Sequence, residues 1–182
     1  AVLPVSMPRS AGSQPFHYLR SQLGGDTDVT NLSSKPALPF GFGLSYTEFV
    51  YGELSVTSAT TADDVLAQVT VTNMGQRAGG HVVQLFGRDV RASVNRPVAQ
   101  LLAYQRVALE PGQSVQVTFR VPPARLAFSG LDLRRGVEPG EFELWVGNAQ
   151  DRKAQTSTTI TGEVHYLTGD DERWSKAEVN QV

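Results

Sequence analysis

The stretch Ser114–Val121, SVQVTFRV, alternates without a break. Val115, Val117, Phe119 and Val121 fall on one side, and Ser114, Gln116, Thr118 and Arg120 fall on the other. A period of two with large apolar residues on one side only is the pattern of a strand with one buried face. A parallel sheet covered on both faces would read as a nearly continuous apolar run instead. This stretch therefore predicts antiparallel sheet, packed on one side against an apolar layer.

The same period recurs on both sides of it. Upstream, Val65, Ala67, Val69 and Val71 alternate with Leu66, Gln68, Thr70 and Thr72, and Asn73-Met74-Gly75 ends that strand with turn chemistry. Val83 and Leu85 alternate with Gln84 and Phe86. Leu101, Ala103, Gln105, Val107 and Leu109 define one side of a longer strand closed by Glu110-Pro111-Gly112. Leu54 and Val56 belong to a first strand. Downstream, Phe142, Leu144 and Val146 point inward between Glu138-Pro139-Gly140 and Gly147-Asn148. Ala154 to Thr161 is mostly Thr and Ser, which suits a sheet edge. Pro122 to Phe128 has room for a short helical turn. About seven short strands, with turn signals roughly every 8 to 15 residues, predict an all-β fold: an antiparallel β-sandwich of immunoglobulin or fibronectin type III-like form.

Residues 1–48 carry neither period. Pro4, Pro8, Pro15, Pro36 and Pro39 punctuate them, and Gly24-Gly25-Asp26 marks a turn. Yet Leu3, Val5, Met7, Phe16, Tyr18 and Leu19 are too apolar for a solvated tail. The segment ends in PFGFGLSYTEF, Pro39 to Phe49, where glycines alternate with aromatic and aliphatic residues. We read 1–48 as an irregular apolar strap, 49–167 as the sandwich, and 168–182 as a charged tail with an exposed Trp174. That tail is expected to be mobile or to lie along a surface.

Composition excludes several functions. The chain has 182 residues, a net charge of −2 and no cysteine. A near-balanced charge argues against nucleic acid or an anionic membrane as partner. No run approaches the ~18 apolar residues of a membrane span. Without cysteine there is no disulfide, thiolate metal site or thiol nucleophile. His17, His81 and His165 have no partners at metal-ligand spacing, so neither metal nor cofactor is expected. Asp63-Asp64 and Asp170-Asp171-Glu172 read as loop charges and not as a catalytic pair. There is no G-x-S-x-G elbow, and Ala78-Gly79-Gly80 sits at a hairpin and not in a phosphate loop. Arg96, before Pro97, either meets a carboxylate of another domain or sits in a solvated loop. Trp145 reads as a half-exposed packing residue. A sandwich binding carbohydrate or protein through Trp145, Tyr104 and Phe86 is the alternative function.

Five segments, in order, resemble those of glycoside hydrolase family 3. LPVSMPRSAGSQP (3–15) is similar to LPV-x-x-PR-x-x-G-Q-x-P, and PFGFGLSYTEF to PFG-x-GLSYT-x-F. VTVTNMGQRAGGHVVQLF (69–86) resembles V-x-V-x-N-x-G-x-x-x-G-x-EVVQLY, with His81 where Glu is common. RPVAQLLAYQRVALEPGQS (96–114) resembles RP-x-x-x-L-x-GF-x-R-V-x-L-x-PGE, and VEPGEFELWVG (137–147) resembles EPG-x-F-x-V-x-VG. Ser13, Phe16-His17-Tyr18-Leu19 and Ala1-Val2 depart from the common pattern. The resemblance implies the C-terminal piece of a retaining, exo-acting β-glycosidase acting on terminal glucosyl or xylosyl residues, with residues 1–48 as the end of its catalytic α/β sandwich domain and the linking strap. The family's nucleophile and acid/base motifs precede this stretch, so no catalytic residue is assigned here and the piece alone is expected to be inactive. Implied partners are the catalytic domains of the same enzyme and a β-linked oligosaccharide, and a homodimer is compatible. A secreted or periplasmic setting is favoured. The residues expected to dock on the catalytic body are Phe40, Phe42, Leu44, Tyr46 and Phe49.

Overall fold

A computed structural model describes residues 2–14 and 16–182. Ala1 and Pro15, both within the strap segment discussed above, lie outside the described residues. The strands are β1 (Phe49–Tyr51), β2 (Ser55–Val56), β3 (Ala59–Thr60), β4 (Val65–Asn73), β5 (Gly79–Asp89), β6 (Gln100–Leu109) and β7 (Ser114–Val121). After a short 3₁₀ turn at Pro123–Arg125 come β8 (Phe128–Ser129), β9 (Arg135–Val137), β10 (Gly140–Gly147), β11 (Arg152–Thr161), β12 (His165–Tyr166) and β13 (Lys176–Gln181).

They form two facing sheets. One has the order β1-β4-β7-β13, with β2 also on β4; the other has the order β3-β11-β10-β5-β6. A small third sheet, β12-β9-β8, closes one side. All pairings are antiparallel except the short β3–β11 contact. Val115, Val117, Phe119 and Val121 from β7 join Val65, Ala67, Val69 and Val71 from β4 on one wall of the core. Val83, Leu85, Val107, Phe142, Leu144 and Val146 form the facing wall. Fully burying each such side chain contributes roughly 1.5–3 kcal/mol. The alternation in the sequence thus built a sandwich of the expected kind.

Three details differ from the sequence reading. In β6, Leu85 pairs with Ala103 and Phe86 with Leu101, which leaves Leu102 as the extra residue of a bulge. The bulge changes sides: Leu102 enters the main core, while Leu101 packs on the outer face. Secondly, the segment read as a tail contributes β13, which pairs with β7 from Lys176↔Arg120 to Gln181↔Val115. Its residues KAEVNQ carry no alternation because only Ala177 is partly covered. Thirdly, Trp145 is not half-exposed but 1% exposed.

The reason for the last lies in the strap. Phe86 and Trp145 are directly paired across β5 and β10 and point away from the main core. They stack with ring centroids 5.7 Å apart and an 11° interplanar angle. Tyr18 and Phe40 cover them, Tyr18 meeting Phe86 edge-on at 5.8 Å and lying 4.8 Å from Phe40. A second small core, centred on Phe86, Ala99 and Trp145, therefore lies on the outer face of the second sheet. The strap is also folded on itself. Leu3 donates its N–H to the Phe42 carbonyl, Gly41 to Leu3, and Met7 to Leu38. Val98 donates to Arg20 and Ala149 to Phe40, tying it to the sandwich. These long-range pairs are what a search for local periodicity passes over.

Candidate docking interface

Where the strap enters the sandwich, the chain turns at Gly41. Its φ of +83° is a conformation that side-chain-bearing residues rarely adopt. A Cβ there would also collide with the side-chain oxygen of buried Gln84. The PFG stretch is thus glycine by necessity: the backbone passes flat over β5. This turn throws Phe40 one way and the residues after Gly43 the other.

The five expected docking residues divide accordingly. Phe40 is seated in the second core. Phe49 packs against the main core and stacks on His81, with centroids 4.6 Å apart. Phe42 is half-buried. Leu44 and Tyr46 are 82% and 94% exposed. Nothing in the sandwich touches them enough to hide them, yet the backbone on either side is fixed. Thr47 Oγ1 donates to Asn73 Oδ1 at 2.6 Å, and Met74 N–H donates to the Glu48 carbonyl. Two large apolar side chains are therefore presented to solvent on an anchored loop.

Beside them runs a groove of about 650 Å³, lined by Phe42, Leu44, Phe49, His81, Arg106 and Lys153 among others. The His81 Nε2 lies 2.6 Å from the Tyr51 hydroxyl. Burial raises the Tyr51 pKa above its ordinary value, so the hydroxyl stays protonated and donates while Nε2 accepts. Burial also lowers the His81 pKa to about 4, keeping the ring neutral.

The other residues singled out in the sequence serve the fold. Arg96 does not lie in open solvent. It donates from Nη2 to the Leu126 carbonyl at 3.0 Å and covers the Phe128 ring at 4.3 Å. Asp63 accepts from Thr60, Asp64 pairs with Arg120 at 2.8 Å, and Asp171 holds Thr168 and His165. Of the three aromatics named for surface binding, Phe86 and Trp145 are buried and Tyr104 alone is exposed. Among the described residues no three His, Asp or Glu side chains gather as a metal site requires.

The fold defines a fibronectin type III-like sandwich, and residues 81–150 match the family described as the fibronectin type III-like domain. A putative β-xylosidase of Formosa agariphila is 34% identical over 157 residues, covering 85% of this chain and 21% of that protein. A periplasmic β-glucosidase of Salmonella typhimurium is 35% identical, covering 85% and 22%. The crystal structure of a β-glucosidase from Listeria innocua in complex with glucose superposes with a TM-score of 0.82 at 28% identity, over 89% of this chain and 24% of that one. The chain spans about a fifth of the length of the curated relatives it matches. These matches mark the chain as a C-terminal fragment that resembles the fibronectin type III-like part of proteins named β-xylosidase and β-glucosidase.

Proposed function

We propose that the protein carrying this chain is a retaining, exo-acting β-glycosidase that releases terminal glucosyl or xylosyl residues from β-linked oligosaccharides. The present segment is its structural C-terminal part. It supplies no catalytic carboxylate and seats on the catalytic domains through the strap. The observation that carries the reading is the match, over most of this chain, to proteins named β-xylosidase and β-glucosidase. The exposed Leu44 and Tyr46, held on an anchored loop, support the seating. Phe40 and Phe49 contribute from beneath, by fixing that loop to the sandwich.

The test uses the intact protein and the 182-residue chain side by side. The intact protein is expected to release aglycone from an aryl β-glucoside or aryl β-xyloside with retention, and the 182-residue chain to release none. An intact protein inactive on both substrates would overturn the reading. The ratio of the two rates assigns the sugar. A free-standing binding module is disfavoured because Phe86 and Trp145, two of its three candidate contacts, are spent on holding the strap.

A further inference from the structure

On the opposite edge of the second sheet, a groove of about 410 Å³ is lined by Tyr104, Gln105, Arg125 and Trp174, with the bulged residue Leu102 at its base. Tyr104 is 67% exposed and Trp174 is 73% exposed. The base is rigid. The Leu102 carbonyl accepts from Arg125 Nε at 3.2 Å and from Ser175 Oγ at 2.8 Å, and Arg125 Nη2 donates to the Leu101 carbonyl at 2.6 Å. The loop bearing Trp174 is equally tied down. Glu172 accepts the N–H groups of Arg173 and Trp174 and pairs with Lys176 at 2.9 Å, while Asp171 accepts from Thr168 and pairs with His165. A Trp on a loop bound this firmly, with its ring left in water, has lost conformational freedom and gained little burial for it.

We propose that Tyr104 and Trp174 form a saccharide platform, a contact surface on this part of the protein for a β-linked pyranose chain. The negative face of an aromatic ring attracts the C–H bonds that a β-linked pyranose presents on its flat side. Gln105 and the Tyr104 hydroxyl offer hydrogen bonds to sugar hydroxyls at the rim. Charge selects the same occupant. Among the described residues the one charged side chain of the lining is Arg125, already committed to two carbonyls, and no carboxylate lines the groove, so the site suits a neutral ligand. Size disfavours a protein: two rings and a short groove fall far below the ~800 Å² per partner of a stable interface. The choice of ligand rests on the glycosidase reading above, but the site itself rests on these contacts.

The test is affinity electrophoresis of the intact protein in native gels containing soluble β-glucan or arabinoxylan, with excess glucose and xylose present to occupy the catalytic site. Migration is expected to slow in at least one polysaccharide. Trp174→Ala with Tyr104→Ala should weaken that retardation roughly tenfold in apparent Kd, about the worth of one good contact. Trp174→Phe with Tyr104→Phe should retain most of it. All forms should hydrolyse a single-sugar aryl glycoside at equal rates and melt at the same temperature, since both side chains are exposed. An unretarded wild-type protein, a retarded alanine double variant, or an alanine double variant whose oligomeric mass falls would each overturn the proposal. Retardation that tracks Trp174 in a protein inactive on every aryl glycoside would uphold the platform and sink the glycosidase reading.

Discussion

Thr47 Oγ1 lies 2.6 Å from Asn73 Oδ1, and this one bond ties the end of the strap to the end of β4. Asn73 is fully buried and uses its whole side chain. Its Oδ1 also accepts the Gly75 N–H, and its Nδ2 donates to the Arg77 and Leu109 carbonyls at 2.8 and 3.0 Å. Replacing it by Leu leaves those four groups without their partner, and each buried orphan costs roughly 1–3 kcal/mol. Asn73→Leu is expected to destabilise the chain by about 3 kcal/mol or more, and Thr47→Val by about 1 kcal/mol. Urea unfolding with an unchanged m-value checks both.

Gly41 is the next point of leverage. Its φ of +83° and the proximity of Gln84 and Asn148 leave no room for a side chain. Gly41→Ala should cost roughly 1–3 kcal/mol through backbone strain and displacement of the buried Gln84 side chain. By contrast Gly112, also at positive φ but with nothing near its missing Cβ, should lose only the conformational part, about 1 kcal/mol. Equal losses at the two sites in a melting series would refute the packing explanation for Gly41.

Phe40 tests whether strap and sandwich are one cooperative unit. The ring lies 4.8 Å from Tyr18 and 6.4 Å from Phe86. Phe40→Ala should remove about 3 kcal/mol and open residues 16–40 to protease well before the sandwich unfolds. Trp145 loses its cover in the same event, so its fluorescence should shift to the red. A variant whose strap stays resistant and whose emission is unmoved would show that Tyr18 alone holds the cover.

These expectations also mark how far the sequence could be read. SVQVTFRV and VLAQVTVTN display their buried faces because each residue's neighbour two places along shares its environment. The outer face of Trp145 is hidden by Tyr18 and Phe40, more than a hundred positions earlier in the chain, so no local pattern announces it. PFGFGLSYTEF shows that something is buried but not which rings. The division between Phe40 and Tyr46 is made by a left-handed turn at Gly41 and by Thr47–Asn73, not by any period. The Leu102 bulge is similarly invisible, since an extra residue in one strand is defined only by its partner. Trp174 was legible as exposed, but its rigid loop and its place beside Tyr104 needed the pairing of β13 with β7.

Stability should depend on pH through His81. The folded protein holds this ring neutral by burial until about pH 4, whereas an unfolded chain protonates it near the ordinary 6.5. The unfolded state therefore binds the extra proton first, and stability is full above pH 6.5 and falls as pH drops toward 4. The loss is up to about 3 kcal/mol at ~1.4 kcal/mol per unit. His81→Gln, which keeps an acceptor for the Tyr51 hydroxyl, should flatten the melting temperature across that window. Asp171 acts lower on the scale. The Thr168 N–H and then His165 hold its pKa near 2, so its contribution is present above the ordinary 3.8 and disappears as pH falls through about 2. Asp171→Asn should flatten that lower window and leave the upper one intact.

Leu44 and Tyr46 carry the docking proposal, and their exposure gives it a sharp test. In the 182-residue chain neither ring nor isobutyl group is covered, so Leu44→Ser with Tyr46→Ser should change stability by less than ~0.5 kcal/mol. In the intact protein the same pair would be buried against the catalytic domains. Their loss should then cost about 2–4 kcal/mol at the interface, separating one melting transition into two. The loop itself stays anchored by Thr47 and Asn73, so a split transition would report lost contact and not a disordered strap. Identical melting of the intact protein with and without the two serines would mean that this face of the strap meets only water. The seating of the sandwich would then have to be sought elsewhere, with Leu131 and Leu133 of the β8–β9 hairpin, both nearly fully exposed, as the next apolar surface to vary.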